Sequence, residues 1–535
     1  MTTLQGESST HKRLWIAIVL LVLFAVALYF LSRSHGGSDN PASRTAAESR
    51  ANLDLNRAQI LGEPSLYAFL RKMPKGGDLH LHLSGAVYAE TLIREAAADH
   101  LCVDADTFVL GPSIGAACPG KSFPAAKALA DQTLWDQLID AYSVRSYAPH
   151  AGFSEHDQFF ATFLKDGALT ATAHGGQWLD ELTTRAASQN EQYVEVMHVP
   201  AVPAELGLAA KIHWEGDSDA QLAELKQDAE AAGLAAVVAE AKGEFDLMER
   251  TRNALQHCGT PQAAPACGVT VRWIDSVLRD FTPAQIFVQT LVAFEVTKAD
   301  PTVVGVNYLK AEDWRGALDE YRVGMRILQW MRPQYPAAHL SLHAGELTLG
   351  IVPPEDLRDH IRQAVEVAGA ERIGHGVDIG YETDSAGLMR EMAQKHIMVE
   401  INLTSNDAIL GVKGDHHPLR TYMSAHVPVA LSTDDEGVSR IDITHEYVKA
   451  VEEQGLGYKE LKRMARTSME HAFLPGDSLW EKPDEFTRIR SGCAGQELGG
   501  ASPSSDCAAL LKSSEKAQQQ WELEHRFAVF EANLP

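Results

Sequence analysis

His80 and His82 lie two residues apart in the run Gly77-Asp78-Leu79-His80-Leu81-His82. Side chains at that spacing share one face of a β-strand, and two imidazoles on one face make half of a metal site. The chain offers the other half at distant positions. His343 sits in Leu340-Ser341-Leu342-His343-Ala344-Gly345-Glu346, and His375 in Arg372-Ile373-Gly374-His375-Gly376. Asp434 and Asp435 close Val429-Ala430-Leu431-Ser432-Thr433-Asp434-Asp435. Each ends a short apolar run that reads as a strand. A lone His-x-His pair is mostly chance or structural, but four such segments in this order point to a mononuclear metal hydrolase. Three imidazoles, a carboxylate and a water suit Zn²⁺. His80, His82, His343 and Asp434 are therefore assigned as ligands of one zinc ion per chain, which would make water nucleophilic at neutral pH. His375 is placed to orient or deprotonate that water. Glu346 is placed to carry a proton to the substrate if burial raises its pKa. Asp435, beside a ligand, is placed to hydrogen-bond the substrate. Gly85 either lets the backbone approach the substrate or serves a turn.

The elements that must position these groups are eight apolar or β-branched runs: 77–82, 193–199, 268–275, 302–307, 339–343, 372–375, 396–402 and 427–433. The intervals between most of them carry helical patterns, as in 313–332 (Trp314, Ala317, Tyr321, Met325, Leu328), 355–369 and 384–395. Strands alternating with helices argue for a parallel sheet, and eight units over this length argue for a (β/α)₈ TIM barrel. Catalytic groups in that fold sit at the C-terminal ends of strands, where His82, His343, His375 and Asp434 fall. The interval from about 83 to 192 is too long for one crossover and reads as a helical lid inserted after the first strand. Residues 205–257 suit one or two surface helices. The barrel is expected over 61–475, followed by a C-terminal helical extension over 476–535 with a charged amphipathic helix near 507–531.

The 535 residues carry a formal charge of −25, with 47 basic and 72 acidic side chains. That balance argues against a nucleic-acid polymer as partner, since phosphate contacts need Lys and Arg, and suits a small neutral substrate. Leu14 to Leu31 is an uncharged run that would span roughly 27 Å as a helix, about one bilayer core. It predicts a transmembrane signal-anchor over 14–32. Residues 1–13 would be cytoplasmic and residues 33–60 a tether carrying a short helix, with the catalytic domain in the periplasm or extracellular space. Cleavage of this segment as a signal peptide, giving a secreted protein, is the alternative. Six cysteines fall into three local pairs, Cys102 with Cys118, Cys258 with Cys267 and Cys493 with Cys507. An even count with an export signal suggests disulfides; six free thiols is the other reading.

The segments Met73-Pro74-Lys75-Gly76-Gly77-Asp78-Leu79-His80-Leu81-His82, His343-Ala344-Gly345-Glu346, Gly374-His375-Gly376 and Ser432-Thr433-Asp434-Asp435 resemble the adenosine deaminase family, over about 65–475. The cysteine-bearing insertion and the C-terminal extension resemble its secreted, growth-factor-type branch. The resemblance implies a zinc-dependent barrel hydrolase that converts adenosine, and 2′-deoxyadenosine, to inosine and ammonia, and a homodimer. It implies that His80, His82, His343 and Asp434 bind zinc and that Glu346 protonates purine N1. It further implies that His375 stabilises the attacking hydroxide and that Asp435 hydrogen-bonds N7. The chain departs from the family at Ser84, where nucleoside-specific members often carry an Asp that helps hold the ribose. It departs again in Gly305-Val306-Asn307-Tyr308-Leu309-Lys310, which aligns no Gly with the one whose amide often meets purine N3. A third departure is Glu436-Gly437, where many members have Pro. None touches the zinc chemistry. Ser84, Gly85 and Asp435 are thus the candidate substrate contacts. Another aminopurine or a modified nucleoside is the alternative substrate, and a non-catalytic extracellular binding module on the same scaffold is a further alternative. His416 and His417 read as structural or surface residues. Asn402-Leu403-Thr404 matches a glycosylation sequon on a predicted core strand, where modification is not expected. There is no P-loop, nucleophile elbow or cytidine-deaminase pattern.

Overall fold

The computed structural model describes residues 41–115 and 117–534. Among these, eight strands form one parallel sheet in sequential order: β1 (Gly76–His82), β2 (Glu191–His198), β3 (Thr270–Leu278), β4 (Val303–Leu309), β5 (His339–Ala344), β6 (Arg372–His375), β7 (Met398–Ile401) and β8 (Val429–Leu431). Their apolar residues are buried, save Leu278 and Leu309 at strand ends, which are half-buried, as expected of parallel strands covered on both faces. The sheet closes on itself just beyond β8, where a parallel bridge joins Leu81 to Asp434. The Asp434 N–H donates to the His80 carbonyl at 2.9 Å, and the His82 N–H donates to the Asp434 carbonyl at 3.2 Å. Asp78 strengthens the same seam. Its carboxylate accepts from the Thr433 N–H (3.0 Å) and hydroxyl (2.6 Å), and from the His80 N–H (3.0 Å). The fold is a (β/α)₈ barrel.

The covering helices follow the apolar spacing. Arg315–Met331 buries Ala317, Tyr321, Met325 and Leu328 along one stripe, which is the i, i+4, i+8, i+11 face of a helix. Residues 205–257, expected as one or two helices, form the C-terminal part of Val202–Ala209 and then Asp219–Ala232 and Leu234–Leu255. The interval between β1 and β2 holds a small antiparallel sheet (Cys102–Val103, Leu110–Gly111, Phe123–Pro124) and several helices. Glu155–Lys165 is started by a capping box, in which the Ser154 hydroxyl accepts from the Asp157 N–H and the Asp157 carboxylate accepts from the Ser154 N–H. Its Phe159 packs on Ala408, Ile409 and Val438, which follow β7 and β8. The C-terminal tail departs from a single amphipathic helix. Ser514 breaks it into Ser505–Ser513 and Glu515–Ala532, because its hydroxyl caps Ala517 while donating to the Asp477 carbonyl. Residues 41–60 form one helix rather than a short helix in a tether. Ala51 and Leu55 in it are buried, and Asn52 accepts from the Tyr458 N–H.

The expectation of membrane anchoring is corrected. No helix among the described residues is long and apolar enough to cross a membrane. The 14–32 segment, on which the anchor, its cytoplasmic leader and the membrane-anchored placement depended, lies outside the described residues. Three disulfides join Cys102 to Cys118, Cys258 to Cys267 and Cys493 to Cys507. They are compatible with an extracellular location.

Replacing Asp78 with Ala leaves the Thr433 N–H and hydroxyl and the His80 N–H buried without this acceptor. Each such loss costs about 1–3 kcal/mol. Chemical denaturation of the Asp78→Ala variant is expected to show a lower midpoint at unchanged slope, with a loss of at least ~2 kcal/mol. An unchanged midpoint would show that the seam at Thr433 carries no stability.

Candidate active site

The barrel seam dictates where the first three groups meet. His80 and His82 project from the same face of β1, and Asp434 is stitched between them through its own main chain. Asp434 adopts a left-handed backbone (φ 59°) that is uncommon for a residue with a side chain. Its Oδ1 lies 3.1 Å from His82 Nε2 and 3.5 Å from His80 Nε2. His343, at the end of β5, brings a third ring with its centroid 4.4 Å from that of His80 and 5.2 Å from that of His82. One ligand atom from each of His80, His82, His343 and Asp434 falls within 4.8 Å of all the others. Glu346, His375 and Asp434 form a second, overlapping group of the same kind.

Buried neighbours hold these ligand groups in place. His80 Nδ1 meets Glu400 Oε2 at 2.6 Å. The other Glu400 oxygen pairs with fully buried Arg372, which also binds Glu195. Gly374 makes room for this arrangement, since a Cβ there would stand 2.5 Å from His80 Cε1. Asn307 Oδ1 accepts from both the main-chain N–H of His343 (3.2 Å) and its ring Nδ1 (3.0 Å). The main-chain donor fixes the amide oxygen, so His343 carries its proton on Nδ1 and turns the Nε2 lone pair toward the cluster. The Ser405 hydroxyl donates to Asp434 Oδ2 at 2.6 Å. Glu312 accepts from the main-chain N–H groups of Gly345 and Glu346 and orients the turn that presents Glu346.

The electrostatics favour a cation. Burial opposes a charge on His80, but Asp434 and Glu400 outweigh it and push its pKa up to about 10. Burial and the adjoining imidazoles drive His343 well below the usual histidine range. The Asp434 carboxylate stays ionised despite burial because the His80, His82 and His375 rings lie against it. A metal ion would displace the proton from His80 and take over the neutralisation. His80 Nε2 makes no hydrogen bond within the protein, as suits a ligand atom. Three nitrogens and one carboxylate oxygen are a donor set that fits a four-coordinate divalent ion.

His82, His343, Asp434, Glu346, Asp435 and Ser84 line a cavity of about 530 Å³ at the C-terminal ends of the strands. His80 and His375 are fully buried behind them. Burial pushes Glu346 well above the usual carboxylate range, with Asp434 adding to the effect, and raises Asp435 to about 7. Glu346 Oε1 and Asp435 Oδ1 are both buried without a hydrogen-bond partner. Gly85 does not line the cavity but is required by it, because a Cβ there would fall 1.5 Å from Asp435 Oδ1. Phe159, Phe160, Phe163 and Trp314 form an apolar arm of the cavity, and Lys310 lies over the Trp314 ring. His156 also meets this region, bound to Asp313, whereas His174 binds Asp99 away from the ligand cluster. Sequence reasoning missed Glu400, Asn307, Ser405, Glu312 and the buried His417. Glu400 and Arg372 left one signal, a lone charge inside a strand otherwise destined for burial on both faces.

Fold and site together define a (β/α)₈ barrel whose mouth carries a side-chain group that could hold a metal ion. A family model described as adenosine deaminase matches residues 180–483, and the chain belongs to the adenosine deaminase family. An adenosine deaminase of Shewanella loihica is 42% identical over 136 residues, covering 25% of this chain and 38% of its own length. One from Salmonella schwarzengrund is 38% identical over 140 residues, covering 26% and 39%. The chain thus spans less than two fifths of the length of these curated relatives. The crystal structure of an adenine deaminase from Arthrobacter aurescens superposes with a TM-score of 0.50 at 17% identity, over 75% of this chain and 94% of that one. That likeness shows the barrel alone.

Outer partners of ligating histidines typically change metal affinity 10- to 100-fold when altered. The Glu400→Gln variant keeps the size of the side chain but loses the charge behind His80. Competition against a chromogenic chelator is expected to show divalent-metal affinity lowered about 10- to 100-fold, and an unchanged affinity would contradict the role given to Glu400.

Proposed function

We propose that this chain catalyses hydrolytic deamination of adenosine, and of 2′-deoxyadenosine, to inosine and ammonia with one zinc ion. The observation that carries the reading is the meeting of three imidazoles and a carboxylate within 4.8 Å, beside a buried and unpartnered Glu346. His80, His82, His343 and Asp434 would hold the zinc. Bound there, zinc lowers the pKa of water from ~15.7 toward ~7 and so makes hydroxide available at neutral pH.

The remaining work falls to the chain's own side chains. Glu346, protonated because it is buried, donates to N1 of the purine and makes C6 electrophilic. His375 hydrogen-bonds the oxygen that attacks C6, and Asp435 meets N7 and holds the ring against that oxygen. A C6–O bond forms and the C6–N6 bond breaks; one proton of the attacking water leaves on the amino group as ammonia and the other restores the Glu346 acid that protonated N1. Ser84, on the cavity wall, is the side chain offered to the sugar.

A second reading keeps the chemistry and changes the amine. Ser84 brings a neutral hydroxyl to the cavity, and Phe159, Phe160 and Phe163 add an apolar arm beside it. Both features suit an aminopurine or modified nucleoside with a larger apolar substituent.

Ultraviolet absorbance after adding adenosine to the zinc-loaded protein separates these readings, with Glu346→Gln as the paired variant. Rapid conversion by wild type that falls at least ~10²-fold in the variant is the expected result, that being the low end for general acid–base catalysis. No conversion of adenosine, with turnover of another amine in a substrate panel, would transfer the assignment to the second reading.

A further inference from the structure

His375 has two ring nitrogens, and the one that carries the proton decides what the ring can offer an attacking oxygen. Nε2 faces the ligand cluster, 3.8 Å from Asp434 Oδ2, and makes no hydrogen bond of its own. Nδ1 faces the amide nitrogens of Asn406 at 2.9 Å and Asn402 at 3.3 Å. An amide can be turned end for end, so its direction must be set by a group that cannot be. Such a group is present two residues past His417. The main-chain N–H of Leu419 donates to His417 Nδ1 at 3.1 Å. A main-chain N–H can only donate, so His417 Nδ1 carries a lone pair and the ring proton sits on Nε2. Burial holds the His417 pKa at about 3, which keeps the ring neutral.

The direction then propagates along the chain of contacts. His417 Nε2 donates to Asn406 Oδ1 at 3.0 Å. With its oxygen so engaged, Asn406 can present only its amide nitrogen to His375 Nδ1. His375 Nδ1 must then accept, and the single proton of the neutral ring sits on Nε2, aimed at the site. A rival partner lies close by, because Glu346 Oε1 is 3.4 Å from the same Nδ1. A proton on Nδ1 would turn to that oxygen and leave an Nε2 lone pair facing the cavity.

We infer that Asn406 and His417 are positioning residues that lock His375 in its Nε2–H form, so that it serves the attacking oxygen as a hydrogen-bond donor and not as its base. The inference rests on the proposed deaminase reading for the identity of the attacking oxygen, but the lock itself stands on the contacts alone. Neither residue needs to touch substrate. His417, read from the sequence as structural or surface, thereby becomes the fixed end of a relay to the reacting atoms.

Nitrogen-15 resonances of histidine-labelled, zinc-loaded protein report the tautomer directly, with His375 assigned by its loss in His375→Gln. Wild type is expected to show an unprotonated Nδ1 and a protonated Nε2. In Asn406→Asp an ionised carboxylate of the same shape still accepts from His417 but can only accept from His375, which draws the proton to Nδ1. That variant is expected to lose about 10²-fold in kcat, the scale of one preorganised donor at a reacting oxygen, with KM nearly unchanged. His417→Gln, which keeps a donor for Asn406 and an acceptor for Leu419, is expected to retain kcat near wild type, whereas His417→Leu loses it. A proton on Nδ1 in wild type would overturn the proposal, as would a moved proton with unchanged kcat. The resonances need no turnover. Wild type that shows Nε2–H yet converts no amine would therefore sink the deaminase reading and leave the lock in place.

Discussion

The hydrogen bonds that Asp434 makes across the barrel seam are the constraint on which the rest of the site depends. A barrel must close, and this one closes through two main-chain bonds from a single residue to either side of Leu81. Those bonds place the Asp434 side chain between His80 and His82, and the left-handed backbone at Asp434 turns it inward. Closure of the fold and assembly of the candidate metal site are thus one event. Asp78 reinforces it by binding Thr433 and the His80 main chain together. A site built this way is held by strands and by the bridge at Asp434 just beyond β8, which limits how far its side chains can drift.

Charge is managed in concentric layers around that seam. The three imidazoles and Asp434 meet at the centre. Glu400, Asn307 and Ser405 each take one outward-facing polar atom of the ligand set. Arg372 then neutralises Glu400 and Glu195 beneath the cluster, at zero exposure. Such a buried network is favourable only when every member is paired. Polar atoms left unpaired near the cavity lie on His80, Glu346, His375 and Asp435, residues to which the proposed function gives roles. Behind the site Glu400, Asn307 and Ser405 each have a hydrogen-bond partner.

Much of this was legible in the sequence, and the limits have a physical cause. The eight strands are visible because strands buried on both faces must be short apolar runs, and His82, His343, His375 and Asp434 are visible because each lies at or just beyond the end of one, with His80 on the same face two residues before His82. Their supporters are not. Glu400 lies 320 positions from the histidine it holds, and Asn307 lies 36 from His343, so no local spacing links the partners. His417 was passed over because a histidine before Pro418 looks like turn material, and only the main-chain N–H of Leu419 gives it a direction. Asn402, where no modification of the sequon is expected, is fully buried and faces His375, a partnership that the sequon pattern does not reveal. The tail helix was read as continuous because Ser514 interrupts it by capping, which apolar periodicity does not register. The membrane span was read from hydropathy alone, and no helix among the described residues has that character.

The central claim is that one zinc ion is held by three imidazoles and one carboxylate. X-ray absorption at the zinc edge of the purified protein tests it most directly. The account predicts one zinc per chain with a first shell of three imidazole nitrogens and light oxygen donors and no sulfur, Zn–N being about 2.0–2.1 Å. Sulfur in the shell, fewer than three imidazoles, or a purified protein that fails to retain zinc would contradict it.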